Sequence, residues 1–422
     1  MPRLPEREQH TQPAYEQLQN AEESEDAEGV SRGTVPAGRA NGRSGVLGSQ
    51  NVMIQGDETS VDAKSPEDDL STLMLAPADR TLRQTKPTKL LHGGLCFTPD
   101  GGTLIHGGSE DTELSLWDLR TAKRAVGLTR TGSLVDTALS PDGSHMCVAA
   151  RDGLGMYSFP CSAGDEPLWD AEPGTAFCDA AFSRDGAMVA SVREASGLVE
   201  IRDVASSEVL HVIENFPSGG DHGDDGPGAL SFSDDVLAIA GRNGEPNAKQ
   251  VRLVSLRHFA TLKTLELTSE SKACMELTFD PSGTRLAVAM GDHLGETPAD
   301  LLICSCSAVD DWDAPPLRLG VLDLCPGQRA VTSVAFSNDG RLLCAGFFPS
   351  GTFALWDAEA SVCVRIIAHP ETKGHDCGFS PADDLLATGG GNAPIVLHEL
   401  RPLSAQATFE LPGHNQDEVS AR

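Results

Sequence analysis

Basic residues, long apolar runs and catalytic signatures are what this sequence lacks. Its 422 residues hold 32 Lys and Arg against 62 Asp and Glu, a formal net charge of −30. Attraction to a phosphate backbone or an anionic bilayer comes from clustered Lys and Arg, so neither nucleic acid nor membrane is expected as a partner. No stretch approaches the ~18 apolar residues of a membrane-spanning helix. The opening Met1-Pro-Arg-Leu-Pro-Glu has no apolar core like that of a secretory leader. Gly-x-Ser-x-Gly, the Gly-x4-Gly-Lys-Ser/Thr phosphate loop and His-Glu-x-x-His are all missing, so no enzyme chemistry, no catalytic residue and no cofactor are expected.

Glycine is abundant instead, at 43 residues, alongside 26 Pro, which points to many tight turns rather than long helices. The 11 cysteines are odd in number and sit mostly in apolar stretches, such as Leu342-Leu-Cys-Ala, so they read as reduced core side chains in a cytoplasmic or nuclear protein. Cys304-Ser-Cys306 is the one close pair, and no Cys-x-x-Cys completes a metal site with it. Asp221-His-Gly-Asp-Asp-Gly226 offers carboxylates and an imidazole but lacks the alternating oxygen ligands and closing Glu of a calcium loop, so no metal is expected. Ser269-Glu-Ser-Lys272 has the spacing of a Ser-x-x-Lys nucleophile but no companion motif.

Residues 1–85 differ from the rest. They contain one aromatic, Tyr15, and no sustained apolar period, so this stretch is expected to be a disordered low-complexity tail. Residues 1–90 carry 15 acids and 10 bases, so most of the negative charge, −25, falls on residues 91–422. Within the tail, Ser24 lies in an acidic stretch and Ser65 precedes Pro66, two patterns seen at kinase targets as well as in solvated linkers.

Residues 86–422 are organised by a repeat. Phe97-Thr-Pro-Asp-Gly101 returns as Leu139-Ser-Pro-Asp-Gly143, Phe182-Ser-Arg-Asp-Gly186, Phe232-Ser-Asp-Asp-Val236, Phe279-Asp-Pro-Ser-Gly283, Phe336-Ser-Asn-Asp-Gly340 and Phe379-Ser-Pro-Ala-Asp383, at a mean period of 47 residues. Pro presets φ and Gly supplies φ > 0, so each motif joins two short strands as a hairpin. An apolar run follows, such as Arg341-Leu-Leu-Cys-Ala-Gly, then a third strand such as Thr352-Phe-Ala-Leu-Trp-Asp357, then a fourth such as Val362-Cys-Val-Arg-Ile-Ile367. Four short strands per unit over seven units is the pattern of an all-β, seven-bladed β-propeller of four-stranded blades.

With Ser-Pro-Asp-Gly, the Trp117-Asp118 and Trp356-Asp357 pairs and Gly413-His414 to Ser420, residues 86–422 resemble the WD-repeat (β-transducin-like) family. The family's Asp six positions before the Trp is matched by Asp111 and Trp117, while Ser158 and Arg202 are expected at the Trp position of their units and Ser350 at an Asp position. Ring closure has two readings. Either Leu73-Met-Leu75 or Thr81-Leu-Arg-Gln-Thr85 latches the last blade, or the chain is a piece of a longer one whose next repeat opens at Gly413.

The resemblance implies a non-catalytic protein-interaction scaffold with a monomeric core, and the −25 charge points to basic peptides or domains as partners. Two places carry candidate contacts. Asp311, Trp312 and Asp313 form an indole flanked by carboxylates in the longest interval between motifs, either anchoring a basic peptide or folding back on the blade. Trp117-Asp118-Leu-Arg120 is similar to the motif of WD-repeat substrate receptors that dock on the cullin-4 ubiquitin-ligase adaptor, which makes Asp118 and Arg120 the docking residues of an alternative, ligase-receptor function.

Overall fold

The computed structural model describes residues 73–75, 80–82, 95–107, 112–214, 227–241, 249–271, 273–291, 297–306, 315–368, 376–390 and 393–402. All lie in the compact unit Ala63–Arg422. Apart from the four-residue helix Val321–Leu324, the described elements are strands, paired antiparallel throughout.

Each repeat motif makes the hairpin that its residues specify. Ser140 Oγ donates to Asp142 Oδ1 at 2.6 Å and accepts the His145 N–H at 2.9 Å, while Gly143 turns the chain at φ 71°. Ser183 with Asp185 and Ser337 with Asp339 repeat the pattern, each Ser–Asp bond being 2.6 Å long. The Ser and Asp of each such turn thus take up backbone donors inside it.

Four-stranded sheets grow outward from these hairpins in chain order. In the first, Leu95–Phe97, Thr103–Gly107, Glu113–Asp118 and Lys123–Thr129 lie side by side. Three more four-stranded sheets follow over residues 134–171, 177–213 and 227–266. An eight-stranded sheet spans 273–368, its two four-strand halves joined by the single pair Gly291↔Ala330. A five-stranded sheet holds Asp376–Phe379, Leu385–Gly390 and Ala393–Pro402 together with two strands from far upstream, Leu73–Leu75 and Arg80–Leu82. Both candidate latch segments are therefore paired, at successive positions on the edge of Ala393–Pro402.

The innermost strands form a ring. From Leu134–Leu139 through Phe177–Phe182, Pro227–Phe232, Ala273–Phe279 and Ala330–Phe336 to Asp376–Phe379, each touches the next, and the last touches Leu95–Phe97. Leu104 and Trp117 of the first sheet share one core cluster with Ala387, Ile395 and Leu397 of the last, and the circle closes where Thr103–Gly107 touches Leu134–Leu139 and Ile105 and Leu114 pack with Leu134 and Val148. A strand sandwiched between neighbouring sheets buries both faces, which is why second strands such as His145–Ala150 read as continuous apolar runs. Outermost strands face solvent on one side, and Val209, Leu210, Leu262, Val362 and Ile366 are exposed there. The result is an all-β, propeller-like ring of four-stranded blades.

Candidate functional site

Two regions carry the chemistry that the ring presents: the turn after the third strand, where the Trp-Asp pairs fall, and the axis, where the innermost strands converge.

Pairing register defines one equivalent position across the third strands. Trp117 pairs with Leu104, Tyr157 with Met146, Arg202 with Val189, Val254 with Leu237, Cys304 with Leu286, Trp356 with Leu343 and His398 with Leu386. Tyr157, not Ser158, thus stands at the Trp position of the second unit, and Ser158 stands opposite His145, one residue further on. Trp117 Nε1 is buried there with no hydrogen-bond partner among the described residues, whereas Tyr157, Arg202 and His398 are satisfied locally. Arg130, almost wholly buried, donates to the Tyr157 hydroxyl at 3.0 Å and to Asp152 and Asp170 at 2.9 and 3.2 Å. Arg202 pairs with Glu200 at 2.6 Å and donates to the Ser207 carbonyl at 3.1 Å. Thr388 Oγ1 and His398 Nε2 lie 2.9 Å apart, both buried.

The Asp that follows caps the next turn. Asp118, Asp203 and Asp357 accept N–H bonds from Thr121, Ser206 and Ala360 at 2.8, 2.7 and 2.8 Å. The Thr121 N–H holds the Asp118 carboxyl below the usual carboxylate range. Asp118 is therefore occupied in shaping its own turn, whereas Arg120 at the tip of that turn is exposed. Asp311, Trp312 and Asp313, like Asp111, the 221–226 stretch and Lys272, lie outside the described residues. Ser269, the other end of the Ser-x-x-Lys spacing, donates its hydroxyl to Asp300 at 2.7 Å.

The axis holds residues that the sequence reading missed. An innermost strand is the edge of its sheet, so half of its amides have no strand partner on the axial side. Side chains of the preceding four-strand unit take them up. Asp136 Oδ2 accepts the Ala180 N–H at 3.0 Å, Asp179 Oδ2 the Leu230 N–H at 2.9 Å, Ser231 Oγ the Phe279 N–H at 2.9 Å, Glu276 Oε2 the Val334 N–H at 3.2 Å and Ser333 Oγ the Cys377 N–H at 3.1 Å. Each four-strand unit from the second to the sixth is thereby stitched to its successor, the Glu276–Val334 bond doing so within the eight-stranded sheet. Four of these side chains, with Asp376, Thr137 and Thr332, line a cavity of about 250 Å³ whose apolar walls include Leu95, Leu230, Met275 and Leu277.

Electrostatics there are one-sided. Burial, with little offsetting hydrogen bonding, pushes the Asp179, Glu276 and Asp376 carboxyls well above the usual carboxylate range, and burial also raises Asp136. The charge of Asp136 also works against ionisation of Asp179. Among the described residues, no Lys, Arg or His lines the cavity, and no group of His, Cys, Asp and Glu is arranged to hold a metal ion. The signal in the sequence was positional: Asp136, Asp179, Glu276 and Asp376 each fall three residues before the Phe or Leu that opens the hairpin motif.

A family model, "WD domain, G-beta repeat", matches residues 321–357, which run from the short helix through three strands to the Trp356-Asp357 pair. No curated protein matches the chain.

Proposed function

Taking the chain as a WD-repeat β-propeller, we propose that it is a non-catalytic protein-interaction scaffold that selects basic peptides or domains. The eight-stranded sheet then counts as two blades sharing one bridge, which makes seven in all, one per hairpin motif. Propellers of this kind generally bind other proteins without doing chemistry, because their rigid ring offers turns and an axial opening rather than a strained catalytic loop.

The observation that carries the reading is the charge balance of the repeat region, whose sequence from residue 91 onward bears a net −25. A field of one sign speeds encounter with the opposite sign and penalises acidic competitors. The scaffold works inside the cell, in cytoplasm or nucleus, as a monomeric core whose cysteines stay reduced; all 11 are free thiols. Asp311, Trp312 and Asp313 supply a further anchor for the basic partner.

Affinity purification with the full chain at low and moderate salt tests this. Basic proteins should be retained at low salt and lost as salt rises; a partner set indifferent to salt overturns it. The exposure of Arg120 favours a second reading, a ligase substrate receptor docking through Trp117-Asp118-Leu-Arg120. Recovery of a cullin-4 adaptor, abolished by Arg120→Ala, would support that reading, and an unchanged recovery or none would end it.

A further inference from the structure

One strand edge of the last unit is matched by two different segments of the chain. In the first, third, fourth and sixth units the outermost strand follows the third after a short turn, and its register is the same each time. Leu114 pairs with Leu128, Val199 with Ile213, Val251 with Leu265 and Phe353 with Ile367. The second member of each pair is buried and lies eleven positions after the Trp position, counted from Trp117, Arg202, Val254 and Trp356. In the last unit the matching third-strand residue is Ile395, three before His398, and Leu82 of the upstream strand Arg80–Leu82 stands opposite it. Eleven positions after His398 the sequence has Phe409, within Ser404-Ala-Gln-Ala-Thr-Phe-Glu-Leu411. Residues 403–422 lie outside the described residues; by spacing, 404–411 is the last unit's own outermost strand, and its place opposite Ile395 is the one that Leu82 holds.

The two routes part after Leu400. Leu119, Val204, Leu256, Ala358 and Leu400 are equivalent, and their N–H groups donate to the Gly102, Ala187, Asp235, Arg341 and Asp384 carbonyls of their own hairpins. The first four of these chains then turn back at once. Ser207 and Phe259 donate to the Asp203 and Ser255 carbonyls, closing a single helical turn, and Ala122, Ser207, Phe259 and Ser361 all take φ between 50° and 62°. After Leu400 the chain runs straight on to Pro402 and pairs with Leu73–Leu75. The sequence explains the difference. Pro402 falls inside that turn and pushes Arg401 away from helical backbone, while Leu403 falls at the position of positive φ. Extended backbone at 400–402 and the turn exclude each other, so the edge holds either residues 73–82 or residues 404–411.

We propose that the outer edge of Ala393–Pro402 is a strand-exchange site, closed in one form by residues 73–82 and in a second form by residues 404–411, which releases the upstream strands. This device is independent of what the scaffold binds. Pro402 and Leu403 set the balance toward the upstream closure. That closure is itself interrupted: Leu75 pairs with Leu400 and Arg80 with Leu397, so residues 76–79 intervene where the edge advances past two residues only. Two three-residue pairings are a shallow hold. A continuous strand like the seven-residue Lys123–Thr129 and Val362–Ala368 competes with them for the same backbone groups. Exchange keeps the ring sealed while freeing residues 73–82, so a ligand that captures the freed strands draws population into the second form without opening the core.

Hydrogen exchange of the full chain, read by mass spectrometry, tests this. Pro402→Ala combined with Leu403→Gly restores the turn and touches neither strand. Exchange at 404–411 should then slow about tenfold or more, and exchange at 80–82 should quicken by a similar factor. Leu82→Asp, which disables the upstream strand, should shift protection the same way and melt close to wild type, because the second strand replaces the first. Phe409→Asp alone should change little. Together the two Asp substitutions should lower the melting temperature by more than their separate effects combined, since each then removes the other's substitute. Unchanged protection of His145–Ala150 confirms in each variant that the rest of the ring is folded. Two results overturn the proposal: residues 404–411 that gain no protection when the turn is restored, and Asp substitutions whose effects simply add. If Leu82→Asp fails to fold, residues 404–411 did not replace the lost strand, which counts against the proposal as well.

Discussion

Many polar side chains in this ring complete hydrogen bonds of the nearby backbone. Ser337 Oγ donates to Asp339 and accepts the Leu342 N–H at 2.9 Å in a fully buried position. Ser337→Ala leaves that amide without its acceptor, and chemical denaturation should show a loss of about 2 kcal/mol. The carboxyls split into two groups with opposite pH signatures. Turn acids such as Asp185 and Asp280 sit below the usual carboxylate range. For Asp185 the chief cause is the Ser183 bond; for Asp280 burial pushes upward and is outweighed by the bonds from Ser282 and Arg285. Their stabilisation is present above the ordinary carboxylate range and is lost as pH falls through their lowered values. Glu276 and Asp376 run the other way. The folded state binds their protons more tightly than the unfolded chain, so stability falls as pH rises from the ordinary carboxylate range through their raised values. Thermal melts of wild type and Glu276→Gln should therefore coincide near pH 4 and separate at alkaline pH, with the variant melting higher; parallel curves would contradict the assignment.

Among the elements, the hairpins were legible in the sequence because their chemistry is local: Ser, Asp and Gly within a few residues specify both the turn and its hydrogen bonds. Pairing register was less legible. The second unit places Tyr157 rather than Ser158 at the Trp position, and a pattern search by residue type passes over a Tyr whose hydroxyl is held by Arg130. The axial carboxylates were hidden for a different reason. Each is a lone acid in an otherwise apolar strand, and only closure of the ring brings acids from separate repeats around one cavity. Non-local consequences of a short turn were equally invisible. The fourth hairpin, Phe232-Ser-Asp-Asp-Val236, closes with Ser233 N–H to Val236 O at 2.8 Å and lacks the glycine and extra residues of its neighbours. Arg184 of the preceding sheet reaches past it to the Asp280 and Pro281 carbonyls at 2.6 and 2.5 Å. Gly283 approaches Ser233 so closely that a Cβ there would lie 3.2 Å from the Ser233 Cβ, and its φ of 69° favours glycine as well. Arg184→Ala should cost about 1–2 kcal/mol in a denaturant melt, with Arg151→Ala, an exposed pair with Glu194, as the near-neutral comparison.

At the scale of the whole molecule, the last sheet is completed by residues 73–82, so the ring is sealed by chain that belongs to the opposite end of the sequence. A chain beginning at residue 86 strips the upstream strands from the edge of Ala393–Pro402. It should melt at lower temperature and associate more readily than one beginning at residue 63, as differential scanning calorimetry and light scattering would register. Equal melting of the two would mean that the upstream strands hold the edge no better than residues 404–411 do. The same arrangement orders events in time. Leu73 and Leu75 leave the ribosome long before Pro402 and Leu400, their partners, exist. Until then the first sheets can assemble one by one on their local hairpins, while the upstream strands wait and the growing arc stays open. Synthesis that stops anywhere before residue 393 leaves an unsealed arc with exposed strand edges, the form that chaperones and proteases recognise. The upstream strands thus find their partners only once the last sheet has been synthesised.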